Sequence, residues 1–359
     1  MTEQEAKQRI DKLVSEINAH NYSYYVLDNP TISDYDFDIL LKELEAFEAE
    51  YPQFKRPYSP TQRVGGEPVK NFKTVAHSTP MLSLGNTYSL SEIEDFDRRV
   101  HEFVGNVSFD YVCELKYDGL SISLEYENGL LKRAITRGDG TKGDDVTANI
   151  RTIKSIPLSL QGNDFPQHFI IRGEVIMPHK SFNRLNVRRE ELGLEPFANP
   201  RNAASGSLKL QDPRIVAKRG LDCFLYFLIS DEITEPLHGE RLKMAAKWGF
   251  KTGNYYRVCG TLQDIYNYIA KWDIARKNLP FDTDGAVIKV NQIPLWTTLG
   301  FTAKFPRWAI AYKFKAERVS TLFESVDFQV GRTGRITPVA NLKPVSLAGS
   351  TVKRASLYS

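Results

Sequence analysis

The sequence has few cysteines and no long apolar run, and both shortages limit what kind of protein it encodes. Its three cysteines, Cys113, Cys223 and Cys259, form no Cys-x-x-Cys pair, which argues against a zinc site and for a reducing compartment. No run of about 18 apolar residues exists, and the N-terminus is too polar for a secretory signal. We therefore expect a cytoplasmic protein without a membrane partner.

The sequence also lacks a large excess of charge of either sign. Its formal net charge is +3 over 359 residues, so no global basic field indicates nucleic acid. Local basic clusters at 184–189, 209–219 and 353–354 are either solvated faces or nucleic-acid contacts. A chain of this length suffices for two or three domains, and it contains neither internal repeats nor low-complexity tracts.

Apolar residues in the first 52 positions have helical spacing. One helix carries Ile10, Leu13, Val14 and Ile17 on a single face. A second helix begins at Ser33, with Asp36 as its capping partner, and stops at Pro52. Its apolar stripe consists of Phe37, Leu40, Leu41, Leu44 and Phe47. The prolines and glycines of residues 53–80 predict a domain boundary near residue 70.

Strands and helices are mixed from about residue 81 to 318. A helix is expected over roughly 91–104, with Ser91 and Glu94 as its cap and Ile93, Phe96, Val100 and Phe103 inward. Strand-like runs cover 111–116, 120–127, 129–136, 168–177, 221–229, 284–290 and 309–315. Asn128-Gly129 predicts a hairpin, and antiparallel pairing favours an α+β core over a doubly wound parallel sheet.

Residues 137–143, Arg-Gly-Asp-Gly-Thr-Lys-Gly, contain a formal G-x-G-x-x-G. A dinucleotide-binding loop would need a preceding parallel strand, whereas this strand belongs to the predicted hairpin. The better interpretations are a mobile turn that presents Arg137 to a ligand, or a plain surface turn.

Lys116 lies at the end of an apolar strand, flanked by Glu114, Asp118 and Gly119. An amine attacks phosphorus only when it is neutral, and a free lysine keeps its proton until about pH 10.4. Burial or nearby positive charges lower that pKa. Alone, however, Lys-x-Asp-Gly is a weak signal, because it also marks surface turns.

Three further charged residues interrupt apolar strands. A buried Glu174 needs a metal or a cation, unless it pairs with Arg172. Lys289 and Lys313 alternate with apolar residues, and single strand lysines usually reach outward to solvent. Taken with Arg137, these groups are what phosphoryl transfer requires, since that chemistry depends on charge placed around the phosphate.

Five motifs occur in one order along the chain. They are Lys-Tyr-Asp-Gly from 116, Arg-Gly-Glu-Val from 172, Arg-Gly-Leu-Asp-Cys-Phe-Leu-Tyr from 219, Asp-Gly-Ala-Val-Ile-Lys-Val from 284 and Trp-Ala-Ile-Ala-Tyr-Lys-Phe-Lys from 308. This series resembles the covalent nucleotidyltransferases, and within them the bacterial NAD-dependent DNA ligases. The segments Pro-Met-Leu-Ser-Leu-Gly-Asn from 80, Asn-Pro-Arg-Asn-Ala-Ala-Ser-Gly-Ser-Leu from 199 and Gln-Val-Gly-Arg-Thr-Gly-Arg-Ile-Thr-Pro-Val-Ala from 329 support the same resemblance.

The resemblance implies an α+β protein in three parts. Residues 1–70 would form a helical domain that recognises NAD through its nicotinamide mononucleotide (NMN) half. Residues 71–318 would form an antiparallel-sheet nucleotidyltransferase core with flanking helices. Residues 319–359 would begin an oligonucleotide-binding β-barrel and stop before completing it.

The resemblance also implies a reaction, in which Lys116 attacks the α-phosphorus of NAD, forms lysyl-AMP and expels NMN. Magnesium would neutralise the pyrophosphate. Glu114, Ser83 and Leu84 would line the adenosine pocket, and Arg137 would contact ribose or phosphate. Asp118 would assist the nucleophile, Glu174 would face the ribose or the metal, and Lys289 and Lys313 would stabilise the phosphates.

The positions that match the family's NMN site are Tyr24, Tyr25, Asp34, Phe37 and Asp38. Aromatic faces attract the cationic nicotinamide ring, and aspartates pair with it. Tyr25 stands where many members have His, and Phe37 where many have Tyr. The aromatics could instead only pack the two helices together.

The family further carries a complete barrel, a four-cysteine zinc module, helix-hairpin-helix motifs and a BRCT domain, none of which is complete here. We therefore expect a truncated, monomeric chain that accepts AMP from NAD but seals nicked double-stranded DNA poorly, with zinc confined to the missing part. One alternative is an ATP- or GTP-using RNA ligase or capping enzyme, which would lack the Tyr24–Asp38 segment. Another is a non-catalytic nucleic-acid-binding module, which would have lost Lys116 or Lys313.

Overall fold

The computed structural model describes residues 2–65, 68, 71–315, 319–330, 336–347 and 350–357. Part of the glycine-rich motif (331–335) and the residues at both expected domain boundaries (69–70 and 316–318) lie outside the described residues. The helices are α1 Glu3–Tyr25, α2 Asp34–Glu50, α3 Leu90–Val104, α4 Thr147–Arg151, α5 His179–Glu191, α6 Pro200–Leu208, α7 Pro213–Ala217, α8 His238–Lys247, α9 Leu262–Ala275 and α10 Pro294–Leu299. The strands are β1 Thr74–Ala76, β2 Gly85–Thr87, β3 Tyr111–Tyr117, β4 Leu120–Glu127, β5 Leu130–Thr136, β6 Lys142–Asp144, β7 His168–Ile176, β8 Asp222–Ile229, β9 Arg257–Cys259, β10 Thr283–Val290, β11 Ala309–Lys313, β12 Phe323–Val330, β13 Ile336–Leu347 and β14 Ser350–Ser356.

The N-terminal helices α1 and α2 form a pair, as predicted. Ser33 caps α2 by accepting a hydrogen bond from the Asp36 backbone N–H at 3.1 Å. The predicted apolar faces meet between the helices, where the α1 residues and Leu44 are buried and the rest of the α2 stripe packs around them. None of the helices in the described part of the chain is long and apolar enough to span a membrane.

Two sheets form the body of the protein. One has the strand order β2-β11-β10-β3-β9 and the other the order β5-β4-β7-β8. Every pair within them is antiparallel except β2 with β11. At the β4–β5 hairpin, Asn128 and Gly129 have φ angles of 51° and 75°, the left-handed conformation that such turns require. The predicted α+β class is confirmed.

Each sheet has its own apolar core. Helices α3, α9 and α10 cover the five-stranded sheet, where Trp296 stacks on Trp308 with 3.9 Å between ring centroids. Helices α4 and α8 cover the four-stranded sheet, where Tyr126 stacks on Phe169 at 5.4 Å. The chain passes from one sheet to the other between β3 and β4. At this crossing a Cβ on Gly119 would lie 2.1 Å from the Val175 carbonyl oxygen, so only glycine fits.

The cap predicted for α3, Ser91 with Glu94, is wrong, because the helix is capped two residues earlier. Ser89 rather than Ser91 accepts from the Glu92 backbone N–H, and the Glu92 side chain accepts from the Ser89 N–H at 3.0 Å. This capping box starts the helix at Leu90. Phe103, predicted to face inward, is 48% exposed. Val104, four residues after Val100, is buried in its place.

The C-terminal strands β12, β13 and β14 form a separate antiparallel sheet in that order. Strand β12 is exposed along its whole length. The predicted change to β structure after the core is confirmed.

Candidate active site

A cavity of about 700 Å³ lies between the two sheets, at the crossing from β3 to β4. Strands β3 and β10 of one sheet and β7 and β8 of the other supply much of its wall. The predicted site residues that line it are Ser83, Leu84, Glu114, Lys116, Arg137, Glu174, Lys289 and Lys313. Eight residues predicted from distant parts of the sequence therefore share one cavity.

Strand register brings two lysines to the same carboxylate. Gly285 of β10 pairs with Lys116 on β3 and with Lys313 on β11. The neighbouring Asp284 accepts hydrogen bonds from Lys116 Nζ at 3.0 and 3.1 Å, and Lys313 Nζ lies 4.0 Å from it. Asp284 thus holds the amine of Lys116 in place beside a second positive charge.

Asp118 lies on the turn that follows Lys116. Its backbone N–H donates to the Asp282 carbonyl at 3.2 Å, and its carboxylate accepts from Arg201 at 2.9 Å. Burial, followed by the charge of Asp284, raises the pKa of Asp118. The aspartate therefore links the turn after Lys116 to Arg201, which itself lines the cavity.

Glu174 stands on β7 directly opposite Ser121 of β4. It accepts hydrogen bonds from Ser121 Oγ at 2.9 Å and from the Tyr226 hydroxyl at 3.4 Å. Arg172 does not pair with it, because its guanidinium donates to the backbone carbonyls of Thr79 and Pro80. Burial raises the pKa of Glu174 from its usual 4.5 to about 7, so this carboxyl changes charge near neutral pH.

This pKa predicts that Glu174→Gln stabilises the protein at alkaline pH. Below pH 4.5 the carboxyl is protonated in both folded and unfolded chains. Between pH 4.5 and about 7 the carboxyl ionises in the unfolded chain but stays protonated in the folded one, so the wild type loses about 3 kcal/mol of unfolding free energy over that range and regains none of it above pH 7. Glutamine does not ionise, so the Glu174→Gln variant does not lose this free energy.

Urea titrations at pH 5 and pH 8 measure this difference, with exposed Glu190→Gln as the control. Tryptophan fluorescence reports the two-sheet core alone, because the four tryptophans occur at 248, 272, 296 and 308. A stability difference between Gln and wild type that is the same at both pH values contradicts the assignment.

Glu114 and Lys289 form a buried ion pair with a partner that the sequence analysis missed. Lys289 Nζ donates to Glu114 Oε2 at 2.6 Å, and His238 Nε2 lies 2.5 Å from Glu114 Oε1. All three side chains are 5% exposed or less. Burial acts to raise the pKa of Glu114, but the charge of Lys289 and the contact with His238 outweigh it and lower that pKa.

Residues 137–141 of the glycine-containing segment form a turn between β5 and β6, and residues 142 and 143 begin β6, so the dinucleotide-loop interpretation does not hold. Gly138 and Gly140 have φ angles of 57° and 95°. The Asp139 carboxylate accepts from the Thr141 hydroxyl and from the Lys142 and Thr141 backbone N–H groups, and these bonds lower its pKa to about 2. The turn places Arg137 at the cavity.

The five residues matched to the NMN site do not line this cavity. Asp34 and Asp38 are exposed on α2. Lys154 lies against the aromatic residues, with its Nζ 5.2 Å from the Tyr25 ring centroid and 6.0 Å from that of Phe37. Its Nζ also donates to the Tyr25 hydroxyl at 3.1 Å. A lysine of the core therefore occupies the aromatic faces that the resemblance assigns to nicotinamide.

Several cavity residues were not predicted as site residues. Asp284 and Arg201 stand inside motifs that were quoted, and an Asp-Gly at the start of a lysine-bearing strand was a usable signal for Asp284. Tyr226 likewise ends a quoted motif. Ser121 carried no signal beyond its strand, and neither did His238, which contacts Glu114 from behind the cavity wall.

Glu174 and Asp284 place carboxylate oxygens at the cavity wall, and Asp118 lies on the turn beside it. Oxygen ligands are those that Mg²⁺ prefers, and a cation bound here would lower the pKa of Glu174, which burial raises. Within the described ranges, no group of three or more His, Cys, Asp or Glu side chains forms a metal cluster.

Three family profiles match successive parts of the chain. The DNA ligase-like, N-terminal NAD+-binding domain matches residues 3–65, the NAD-dependent DNA ligase adenylation domain matches 69–317, and the NAD-dependent DNA ligase OB-fold domain matches 320–359.

Curated relatives are similar over nearly the whole chain. The DNA ligase of Parabacteroides distasonis is 58% identical over 352 residues, covering 98% of this chain and 53% of the relative. Those of Flavobacterium johnsoniae and Cytophaga hutchinsonii are 55% and 52% identical, covering 98% and 100% of this chain and 53% of each relative. The chain thus spans about half the length of the curated relatives it matches.

Solved structures are more distant. The ATP-dependent DNA ligase of bacteriophage T7 in complex with ATP is 10% identical, covers 75% of this chain and 97% of its own, and has a TM-score of 0.33, which is too low to carry an argument. The adenylation-domain profile alone covers more than half of the chain, and the protein therefore belongs to the family of NAD-dependent DNA ligases.

Proposed function

We propose that this chain carries out the first half-reaction of an NAD-dependent DNA ligase. Lys116 Nζ attacks the α-phosphorus of NAD, so that an N–P bond forms, the P–O bond to the neighbouring phosphate breaks, and NMN leaves with the electron pair. The observation that carries the proposal is the amine of Lys116 inside the cavity, 3.0 Å from Asp284. The amine must lose a proton before it attacks, and Asp284 is placed to accept that proton.

The charges around Lys116 support this chemistry. Lys313 and Arg137 line the same cavity and would stabilise negative charge on the phosphates. Asp118 would hold the nucleophile turn, and Glu174 would contact the ribose or a metal. Mg²⁺ held by these carboxylates would neutralise the pyrophosphate when bound.

The base end of the substrate would lie further along the cavity. Ser83, Leu84 and Glu114 line it there. Lys289, which the sequence analysis assigned to the phosphates, is paired with Glu114 at 2.6 Å. We therefore assign Lys289 to the adenosine.

We further propose that residues 1–70 recognise NMN and that 71–318 and 319–359 form the two other domains. The contact of Lys154 with Tyr25 and Phe37 supports the capacity of these rings to hold a cation. Nicotinamide, a ring of the same charge, would displace Lys154 when the helical domain closes on NAD. Tyr24, Asp34 and Asp38 would complete the NMN contacts.

Intact-mass spectrometry tests the half-reaction. AMP-free protein is incubated with magnesium and either NAD or ATP, and the modified peptide is mapped. We expect an AMP-sized gain with NAD only, on Lys116. A gain with ATP instead would assign the chain to the ATP-using relatives, and no gain with either would support a non-catalytic binding module.

Beyond this step we propose the role of the longer relatives. There the AMP would pass to the 5′-phosphate of nicked double-stranded DNA before phosphodiester formation. The basic residues Arg184, Arg188 and Arg189 of α5 would contact DNA phosphates. We propose that the protein acts as a monomer in the cytoplasm.

A further inference from the structure

His238 lies behind the cavity wall. It is the first residue of α8, is 1% exposed, and contacts Glu114 and Lys289, which line the cavity while His238 does not. Its backbone N–H donates to the Asn291 carbonyl at 2.8 Å, and the next N–H donates to Asn291 Oδ1 at 2.9 Å. Asn291 directly follows β10, so the imidazole is fixed relative to Lys289.

The contacts of His238 determine its protonation state. Burial, followed by the charge of Lys289, lowers the pKa of His238, so the ring is neutral and carries one N–H. That hydrogen lies on Nε2, because Nε2 is 2.5 Å from a carboxylate oxygen. Nδ1, for which the described residues offer no partner, is then a bare acceptor. Lys289 Nζ, 3.4 Å from Nε2, cannot donate to a nitrogen that already bears hydrogen.

This tautomer determines what Glu114 and Lys289 can offer a ligand. Glu114 Oε1 accepts from His238 and Oε2 from Lys289. Lys289 gives one N–H to Glu114 and one to the Tyr226 carbonyl at 3.2 Å, which leaves a third. The remaining carboxylate lone pairs and that third N–H are left for the cavity that both residues line. The wall thus offers an acceptor beside a donor.

We propose that His238 is a positioning residue that holds Glu114 and Lys289 as an acceptor–donor pair selecting a 6-aminopurine. The inference rests on the proposed function, since it takes the base of NAD as the occupant. Adenine offers an amino donor beside a ring-nitrogen acceptor, which complements the pair. Hypoxanthine offers a carbonyl beside a ring N–H and would oppose oxygen to the carboxylate and N–H to the ammonium. A buried polar site rejects such a mismatch strongly.

Equilibrium binding of adenosine and inosine tests this role without requiring catalysis. Calorimetry is performed on wild type, His238→Leu and His238→Gln. The leucine fills the space without a donor, whereas the glutamine amide can still donate to Glu114. We expect the wild type to prefer adenosine, the Leu variant to lose about tenfold of that preference, and the Gln variant to retain it within about threefold.

The rate of adduct formation supplies a second readout. NAD is compared with nicotinamide hypoxanthine dinucleotide, and the ratio of their kcat/KM values should fall in the Leu variant and recover in the Gln variant. Tryptophan fluorescence checks folding. If the Leu variant does not fold, His238→Asn replaces it, because its amide is too short to reach Glu114.

The outcomes separate the two proposals. A wild type without preference for adenosine, a Leu or Asn variant with unchanged preference, or a Gln variant as impaired as Leu each overturns the role of His238. If the wild type forms no AMP adduct with NAD but the binding preferences follow expectation, the proposed half-reaction fails and the inference about His238 stands.

Discussion

Lys116→Ala is expected to abolish covalent AMP formation, lowering its rate by at least about 10⁴-fold. Removal of the proposed nucleophile leaves no atom that can form the N–P bond at this position. Lys313 is close to the same carboxylate, at 4.0 Å from Asp284, but its proposed role is to stabilise the phosphates. Intact mass and peptide mapping after incubation with NAD and magnesium measure the loss.

The variant should fold normally, so the loss is a chemical one. The Lys116 side chain is 25% exposed and its ion pair with Asp284 is only partly buried, which places the cost of removing it near 1 kcal/mol. Lys271→Ala, at an exposed lysine of α9, is the matched control and should react like wild type. Lys313→Ala should react slowly but still carry AMP on Lys116. AMP bound covalently to Lys116→Ala would contradict the assignment of the nucleophile.

Local patterns predicted the strands that carry the site. The runs at 120–127, 168–177 and 284–290 each correspond to an observed strand within one or two residues, because apolar alternation and Asn-Gly turns act over short distances. The predicted cap at Ser91 was wrong because a local pattern can also be ambiguous. Two overlapping Ser-x-x-Glu patterns, at 89–92 and 91–94, are equally good locally, and only the packing of α3 distinguishes them.

Contacts between distant strands could not be predicted in the same way. Lys116 meets Asp284 across 168 positions, and His238 meets Glu114 across 124. These contacts depend on the register of β3, β10 and β11 and on the connection that returns α8 to the end of β10. Neither leaves a local signal, so the resemblance supplied the lysines and carboxylates while His238 remained unnoticed.

The position of the helical pair was likewise outside the reach of local patterns. The sequence predicts both helices, but helix packing and nicotinamide stacking both call for aromatic residues at these positions, so the sequence does not distinguish the two roles. In the structure Lys154 covers the rings of Tyr25 and Phe37. Because Lys154 lies outside the helical pair, no pattern within the two helices could predict this contact.

Lys289→Met is expected to lower the stability of the two-sheet core by about 3–5 kcal/mol. Methionine replaces the aliphatic stem of Lys289 but leaves the Glu114 carboxylate, 4% exposed, with no cation beside it and with the neutral His238 as a hydrogen-bond donor. An unpaired buried charge costs far more than the net value of the pair. Tryptophan fluorescence during thermal unfolding should show a decrease of about 10 °C in Tm, whereas Arg98→Met, at an exposed ion pair, should change it by at most a few degrees.

The double variant Glu114→Gln, Lys289→Met distinguishes an unpaired charge from lost packing. Glutamine keeps an oxygen that accepts from His238 Nε2 but carries no charge, so the double variant should be more stable than Lys289→Met alone and should show a coupling of about 2 kcal/mol or more between the two sites. It should nevertheless bind adenosine weakly, because the donor at 289 is gone. Strictly additive effects on stability would mean that Lys289 acts through its stem and not through its charge. The ion pair would then contribute to substrate recognition alone, and the surrounding apolar residues would stabilise the core.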